Sequence, residues 1–178
     1  DILLADIKTL EQLQNKYKYI IVDEYQDTNQ IQNDLTILLA KAHENICVVG
    51  DFDQTIYSWR GAKVENLLEF HHHFPNAVVH KLESNYRSTN EILKTANQLI
   101  EFNSQREPKK LIGQRASNNK PQHIVCFNER EEADTIARKI KSLLSKEYKP
   151  NDFAVLYRTN QQARVIEESL THHNIPHQ

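Results

Sequence analysis

Residues 19–24 read Tyr-Ile-Ile-Val-Asp-Glu and residues 46–51 read Ile-Cys-Val-Val-Gly-Asp. In both stretches a continuous apolar, β-branched run stops abruptly at acids. Runs without polar alternation belong to strands covered on both faces, the habit of parallel sheets. Between them Ile31, Leu35, Leu38 and Leu39 recur at helical spacing, which predicts a strand–helix–strand unit. Upstream, Leu3, Leu4, Ile7, Leu10 and Gln14 predict an amphipathic helix. Downstream, Val64 to Phe70 reads as a short helix and Ala77 to Leu82 as a third strand. Ser88 and Glu91 fit a capping box opening a helix whose face is Ile92, Leu93, Ala96, Leu99 and Ile100. Residues 103–121, broken by Pro108, Gly113 and Pro121, read as a long surface connection. Gln122 to Phe127 then predicts a strand, and Asn128 with Glu131 caps a helix faced by Ala133, Ile136, Ala137, Ile140, Leu143 and Leu144. Phe153 to Tyr157 reads as another strand and Gln161 to Thr171 as another helix. This alternation predicts an α/β fold, with parallel sheet flanked by helices.

Composition narrows the function classes. The 178 residues carry 22 basic and 24 acidic side chains, a formal charge of −2, with 39% hydrophobic residues. That is ordinary globular composition, which excludes collagen-like and disordered chains. No run of roughly eighteen apolar residues offers a membrane span. There is no methionine, even at position 1, so the expectation is an internal piece of a longer chain. With no basic-then-apolar signal segment, the expected location is intracellular. Cys47 and Cys126 lie in apolar runs and are expected to be buried free thiols in a reducing compartment. Charge is uneven: residues 1–84 hold 7 basic and 13 acidic side chains, and residues 85–178 hold 15 and 11. The two halves are expected to do different things.

In open parallel sheets, ligands bind beyond the carboxyl ends of the strands. After Val22 come Asp23 and Glu24. One carboxylate there can hold a magnesium ion while the other orients an attacking water; alternatively, both simply cap the next helix. After Val49 the chain runs Gly-Asp-Phe-Asp-Gln-Thr-Ile-Tyr-Ser-Trp-Arg-Gly-Ala, and includes its only tryptophan. Gln54 suits a γ-phosphate sensor. Tyr57 and Trp59 offer flat faces for unpaired bases, with Arg60 as a phosphate contact; the other reading makes the two rings a small core cluster. The third exit brings Tyr86, which can stack on an adenine, and Arg87, which can reach a phosphate; surface packing is the alternative.

Three stretches resemble a known family: VDEYQDTN at 22–29, VGDFDQTIYSWRGA at 49–62 and LESNYRST at 82–89. They look like motifs II, III and IV of the UvrD/Rep/PcrA group of superfamily 1 DNA helicases. LYRTNQQARVIEESL at 156–170, followed by Ile175, Pro176 and His177, is similar to the start of that group's second motor domain. The resemblance implies parts of two RecA-like (P-loop NTPase) domains, residues 1–84 and 85–178. It implies that Asp23 holds Mg²⁺, Glu24 activates the hydrolytic water and Gln54 couples γ-phosphate occupancy to DNA. It makes Tyr57, Trp59 and Arg60 the single-strand track, Tyr86 the adenine stack, Arg87 the inter-domain γ-phosphate contact, and Arg158 and Asn160 DNA contacts of the second domain. ATP and Mg²⁺ are the implied cofactors, and single-stranded and duplex DNA the implied partners. Beyond these come the rest of the same chain and repair or replication proteins, with 3′ to 5′ polarity and a cytoplasmic, nucleoid-associated location. Phe52, Ser58 and Ser84 depart from the group's usual residues, and Ser58 in place of glycine would stiffen the stacking loop.

No G-x-x-x-x-G-K-[ST] occurs, and Gly50, Gly61 and Gly113 are the only glycines. No phosphate-cradling loop can be built from them, so the expectation is that these residues alone neither hydrolyse ATP nor unwind DNA. Two rivals stand beside the helicase reading: the motor subunit of a helicase-nuclease complex, and a non-catalytic DNA-binding module of the same fold. His71, His72 and His73 fan out by roughly 100° per helical residue and cannot converge on one ion. They read as a solvated helix end. The basic residues Arg106, Lys109, Lys110, Arg115 and Lys120 either follow a phosphate backbone or cover a solvated connection.

Overall fold

The computed structural model describes residues 2–103, 108–117, 119–144 and 148–178. The chain forms two compact units, Asp1–Pro121 and Gln122–Gln178. Of the basic stretch just named, Arg106 lies outside the described residues.

The first unit opens with two helices, α1 (Ile2–Ala5) and α2 (Ile7–Lys16), where periodicity predicted one. Asp6 makes the break: its carboxylate accepts from the Thr9 N–H at 3.2 Å and the Thr9 hydroxyl at 2.7 Å, capping α2. Strands β1 (Ile20–Val22) and β2 (Ile46–Val48) then pair in parallel, with Ile20, Ile21 and Val22 opposite Ile46, Cys47 and Val48. Between them runs α3 (Gln30–Ala40). A reciprocal box starts it: Asn29 Oδ1 accepts from the Gln32 N–H and Gln32 Oε1 from the Asn29 N–H. The two strands alternate in burial, with Ile20, Val22, Ile46 and Val48 half-buried while Ile21 is 76% exposed. Cys47 shares the outer face and is exposed, and Cys126 is half-buried, so neither is the buried thiol expected from its apolar neighbours.

Two short helices follow, α4 (Glu65–Leu68) and α5 (Phe70–His73), and they carry Phe70 against the buried Tyr25 ring at 5.8 Å between centroids. The third strand is not where the apolar run placed it. Residues 77–82 have no ladder partner among the described residues, and Val78, Val79 and Leu82 are each at least 70% exposed. Instead the polar segment β3 (Ser84–Thr89) pairs in parallel with β4 (Ile112–Arg115), which lies inside the stretch read as a connection. The ladder shifts register between Asn85 and Thr89 because Asn85 Oδ1 turns back to accept from the N–H groups of Arg87 and Ser88. Gly113 must be glycine here, since a Cβ would stand 2.9 Å from Asn90 Oδ1 and 3.0 Å from the Ser88 carbonyl. Helix α6 (Asn90–Ile100) follows with Thr89 at its cap position, so the Ser88–Glu91 box does not form: Ser88 is committed to β3.

In the second unit α7 (Glu129–Leu144) packs on α8 (Asn160–His172). Asn128 Oδ1 accepts from the Arg130 and Glu131 N–H groups and Glu131 Oε2 accepts from the Phe127 N–H, the cap that the sequence predicts. Ala137, Ile140, Leu170 and Ile175 form its core, with Phe153 and Val155 packed against them. The segments 122–127 and 153–157 have no ladder partner among the described residues, which corrects two expected strands. Phe153 and Val155, two apart, turn toward the helices while Leu156 is 93% exposed, so the alternation of an extended segment survives without the ladder.

Candidate nucleotide and nucleic-acid site

Strands β1 and β2 end side by side, and a short set of hydrogen bonds welds their exits together. The Val49 N–H donates to the Val22 carbonyl at 2.8 Å and the Tyr25 N–H to the Val49 carbonyl at 2.9 Å. Asp23 and Glu24 therefore leave the sheet directly beside Gly50 and Asp51. Glu24 adopts the left-handed conformation, φ 51° and ψ 43°, which costs a residue other than glycine about 1–2 kcal/mol. That conformation turns the chain sharply into a 3₁₀ turn at Tyr25–Asp27 and leaves both acids exposed. Neither carboxylate caps α3, because Asn29 does; the helix-cap alternative for these acids falls.

The Asp23 Oδ1 atom accepts from the Glu24 N–H at 2.9 Å. Its second oxygen has no described partner and faces an exposed strand exit. A hard carboxylate donor of this kind suits Mg²⁺, which takes one or two protein carboxylates and completes its shell with substrate phosphate and water. Among the described residues no three His, Cys, Asp or Glu side chains gather into a cage, so a cation at Asp23 would depend on such outside ligands. Glu24 Oε2 accepts from Gln26 Nε2 at 2.6 Å, and Gln26 Oε1 accepts from the Asp51 N–H at 3.0 Å. Gln26 is 1% exposed. It was not singled out in the sequence because a lone glutamine two residues past an acid carries no chemical signature of its own.

Asp51 is the second residue that sequence reasoning passed over. Its carboxylate accepts from the Asp53 N–H at 2.9 Å and from Gln54 Nε2 at 2.7 Å, and it is ion-paired with Lys109, which also lies 3.7 Å from Asp53. Partial burial pushes the Asp51 carboxyl up, but the bonds from Lys109, the Asp53 backbone and Gln54 outweigh it and hold the group below the usual carboxylate range. Gln54 is thus placed at the same exit as Glu24, its amide anchored on Asp51.

Tyr57, Trp59 and Arg60 form a separate cluster on the 3₁₀ turn Ser58–Arg60. The two rings lie 6.5 Å apart, and the Arg60 guanidinium sits 5.3 Å from the Tyr57 centroid and 4.6 Å from that of Trp59. Trp59 is 71% exposed, so these rings are not the core cluster that was the alternative for them. Tyr86 and Arg87 lie within β3, at its register shift, rather than beyond a strand ending at Leu82. Both are exposed. The Arg87 backbone is held on both sides, its N–H donating to Asn85 Oδ1 and its carbonyl accepting from Arg115 Nη1 at 2.9 Å. In the second unit Arg158 and Asn160 flank Thr159 at the start of α8, where Gln162 Oε1 accepts from the N–H groups of Arg158 and Thr159. Both side chains are exposed.

Comparison with known proteins accounts for this arrangement. Residues 1–75 match the UvrD/REP helicase N-terminal domain and residues 80–178 match the UvrD-like helicase C-terminal domain. The chain is 47% identical over 170 residues to the ATP-dependent DNA helicase PcrA of Staphylococcus epidermidis and 46% identical to that of Staphylococcus aureus. Each match covers 96% of this chain and 23% of the relative, so the chain spans about a quarter of their length. The small parallel sheets with their helices are parts of RecA-like α/β domains. With both family models matched in order along the sequence, the chain belongs to the UvrD-like helicase family.

Proposed function

We propose that these residues are the motif-bearing centre of an ATP-driven motor that translocates 3′ to 5′ on single-stranded DNA and unwinds duplex in repair or replication. The observation that carries this reading is the pair of strand exits, where Asp23 and Glu24 stand beside an Asp51–Gln54 pair and Glu24 is tied to it through Gln26. Both PcrA relatives are named ATP-dependent DNA helicases, which fits such an exit.

In this reading Asp23 holds Mg²⁺, which when bound neutralises charge on the nucleotide phosphates. Glu24, exposed and turned out of the sheet, takes the proton of the attacking water. Gln54 contacts the γ-phosphate, Tyr86 stacks on the adenine and Arg87 stabilises the charge that builds on the transferring phosphoryl group. Tyr57 and Trp59 stack on bases, Arg60 contacts a phosphate, and Arg158 with Asn160 touches the same strand from the second motor domain. The boundary between the motor domains is placed at 84/85, near the changeover of the family models between residues 75 and 80, whereas the compact units divide at 121/122. Single-stranded and duplex DNA, the rest of the chain, and repair or replication proteins are its partners. The location is cytoplasmic and nucleoid-associated, and among the described residues no helix is long and apolar enough to cross a membrane. Because no phosphate-cradling loop occurs in the 178 residues, ATP turnover requires a chain that supplies one.

The test is ATP hydrolysis by the complete protein, with and without single-stranded DNA, compared with Glu24→Gln. DNA-stimulated turnover that disappears in the variant while nucleotide binding persists is the expected result. Equal, negligible rates in both would replace the motor with a non-catalytic DNA-binding module.

A further inference from the structure

We propose that Gln26 is a positioning residue for the hydrolytic base, a strut that holds the Glu24 carboxylate and fastens it to the loop carrying Gln54. The inference rests on the motor reading above and adds a role to a side chain outside its reacting groups.

The geometry makes the amide bifunctional. Gln26 Nε2 donates to Glu24 Oε2 at 2.6 Å, and Gln26 Oε1 accepts from the Asp51 N–H at 3.0 Å. Only one orientation of the amide satisfies both neighbours, because a carboxylate needs a donor and an N–H needs an acceptor. Gln26 is 1% exposed, and burying a primary amide is costly unless both ends are paired. An apolar side chain of the same length would fill the space without that demand. What the amide adds is direction. The Glu24 carboxylate is otherwise exposed and free to rotate, and its backbone is in a conformation that a glutamate rarely adopts. The bond from a buried partner selects one position for it.

The strut also closes a chain of contacts. From Glu24 through Gln26 to Asp51 the bonds measure 2.6 and 3.0 Å, and Asp51 Oδ2 then accepts from Gln54 Nε2 at 2.7 Å. Gln54 in turn stands three residues before Tyr57, the first ring of the stacking cluster. A shift of the aromatic loop can reach Glu24 through Gln54, Asp51 and Gln26, of which Gln26 is buried and Gln54 exposed. Gly50 permits this close approach, since a Cβ there would stand 2.8 Å from Gln26 Oε1.

The experiment uses the complete protein with Gln26→Met, which keeps the length and loses both bonds, and Gln26→Glu, which keeps the shape and faces Glu24 with a second carboxylate. Both are expected to lower the DNA-stimulated kcat by about 10- to 100-fold, with the KM for ATP within about threefold; the melting temperature stays close to the parent's in Gln26→Met and falls in Gln26→Glu, whose carboxylate is buried facing Glu24. A lowered kcat with an unmoved KM is a split that a purely structural residue would not show. The inference is overturned if kcat is unchanged, if kcat falls only in step with the folded fraction, or if neither variant folds. Glu24→Gln separates the two readings. If it hydrolyses ATP like the parent, the role of Glu24 fails first; if it is inactive while both Gln26 variants keep the parent's kcat, only the strut fails.

Discussion

The Arg60 guanidinium lies 4.6 Å from the centroid of the Trp59 ring, a cation–π contact on a ring that remains 71% exposed. Arginine here braces the indole from one side without covering it, so the ring is held in a fixed attitude with surface still open to a base. Base–aromatic stacking is worth about 1–3 kcal/mol, which is a factor of roughly 5 to 150 in affinity. Trp59→Ala in the complete protein is therefore expected to weaken single-stranded DNA binding by that factor, with nucleotide affinity unchanged. Fluorescence anisotropy with a labelled oligonucleotide reads it directly, and an unaltered affinity would remove Trp59 from the strand track.

The ion pair of Lys109 with Asp51 leads to a pH dependence. Asp51 is held below its ordinary value despite its partial burial. A carboxylate whose folded pKa is depressed contributes stability that is fully present above the unfolded value of about 3.9 and is lost as pH falls through the folded value. Acidification below about pH 4 is expected to erode this contribution progressively. In Lys109→Met one of the groups that depress Asp51 is gone, so the melting temperature falls at neutral pH and the difference from the parent shrinks toward low pH. Thermal melts across pH 3 to 7 check this. A constant difference at every pH would mean that Lys109 acts through packing alone.

Some of this architecture is written plainly in the residues. The runs Ile20–Val22 and Ile46–Val48 pair in parallel as expected, although Ile21 and Cys47 lie exposed where burial on both faces was expected, and Asn128 with Glu131 caps α7. Other parts are hidden for a physical reason. Ladder bonds are made by backbone, so the polar stretch Ser84–Thr89 forms a strand with no hydrophobic period to announce it, and its partner Ile112–Arg115 sits around a glycine that reads as a breaker. Conversely, Val78, Val79 and Leu82 look like a strand and find no ladder among the described residues. At the candidate site the acids were legible from their place after apolar strands. Gln26 and Asp51 were not, because their significance is a bond between residues 25 positions apart, and nothing local records it.

Gly50 gives the sharpest test of packing at the strand exits. A methyl group there would stand 2.8 Å from Gln26 Oε1, 2.9 Å from Leu67 Cδ2 and 3.4 Å from the Gln26 nitrogen. The leucine tip can move aside, but the amide oxygen is pinned by the Asp51 N–H and the backbone cannot yield. Overpacking of this kind costs about 1–3 kcal/mol, read as a lower melting temperature. Gly61 is the informative contrast: its φ of 86° strains any other residue, yet a Cβ there meets nothing nearer than Asn29 Cβ at 3.8 Å. Gly61→Ala is therefore expected to lose about 1–2 kcal/mol from backbone strain alone and to leave ATP turnover in the complete protein intact. Gly50→Ala is expected to lose turnover as well as stability, because displacing the Gln26 amide releases Glu24. Melting temperatures and kcat measured on the two variants side by side separate the effects, and a Gly50→Ala protein with the parent's kcat would show that the exits tolerate movement of the amide.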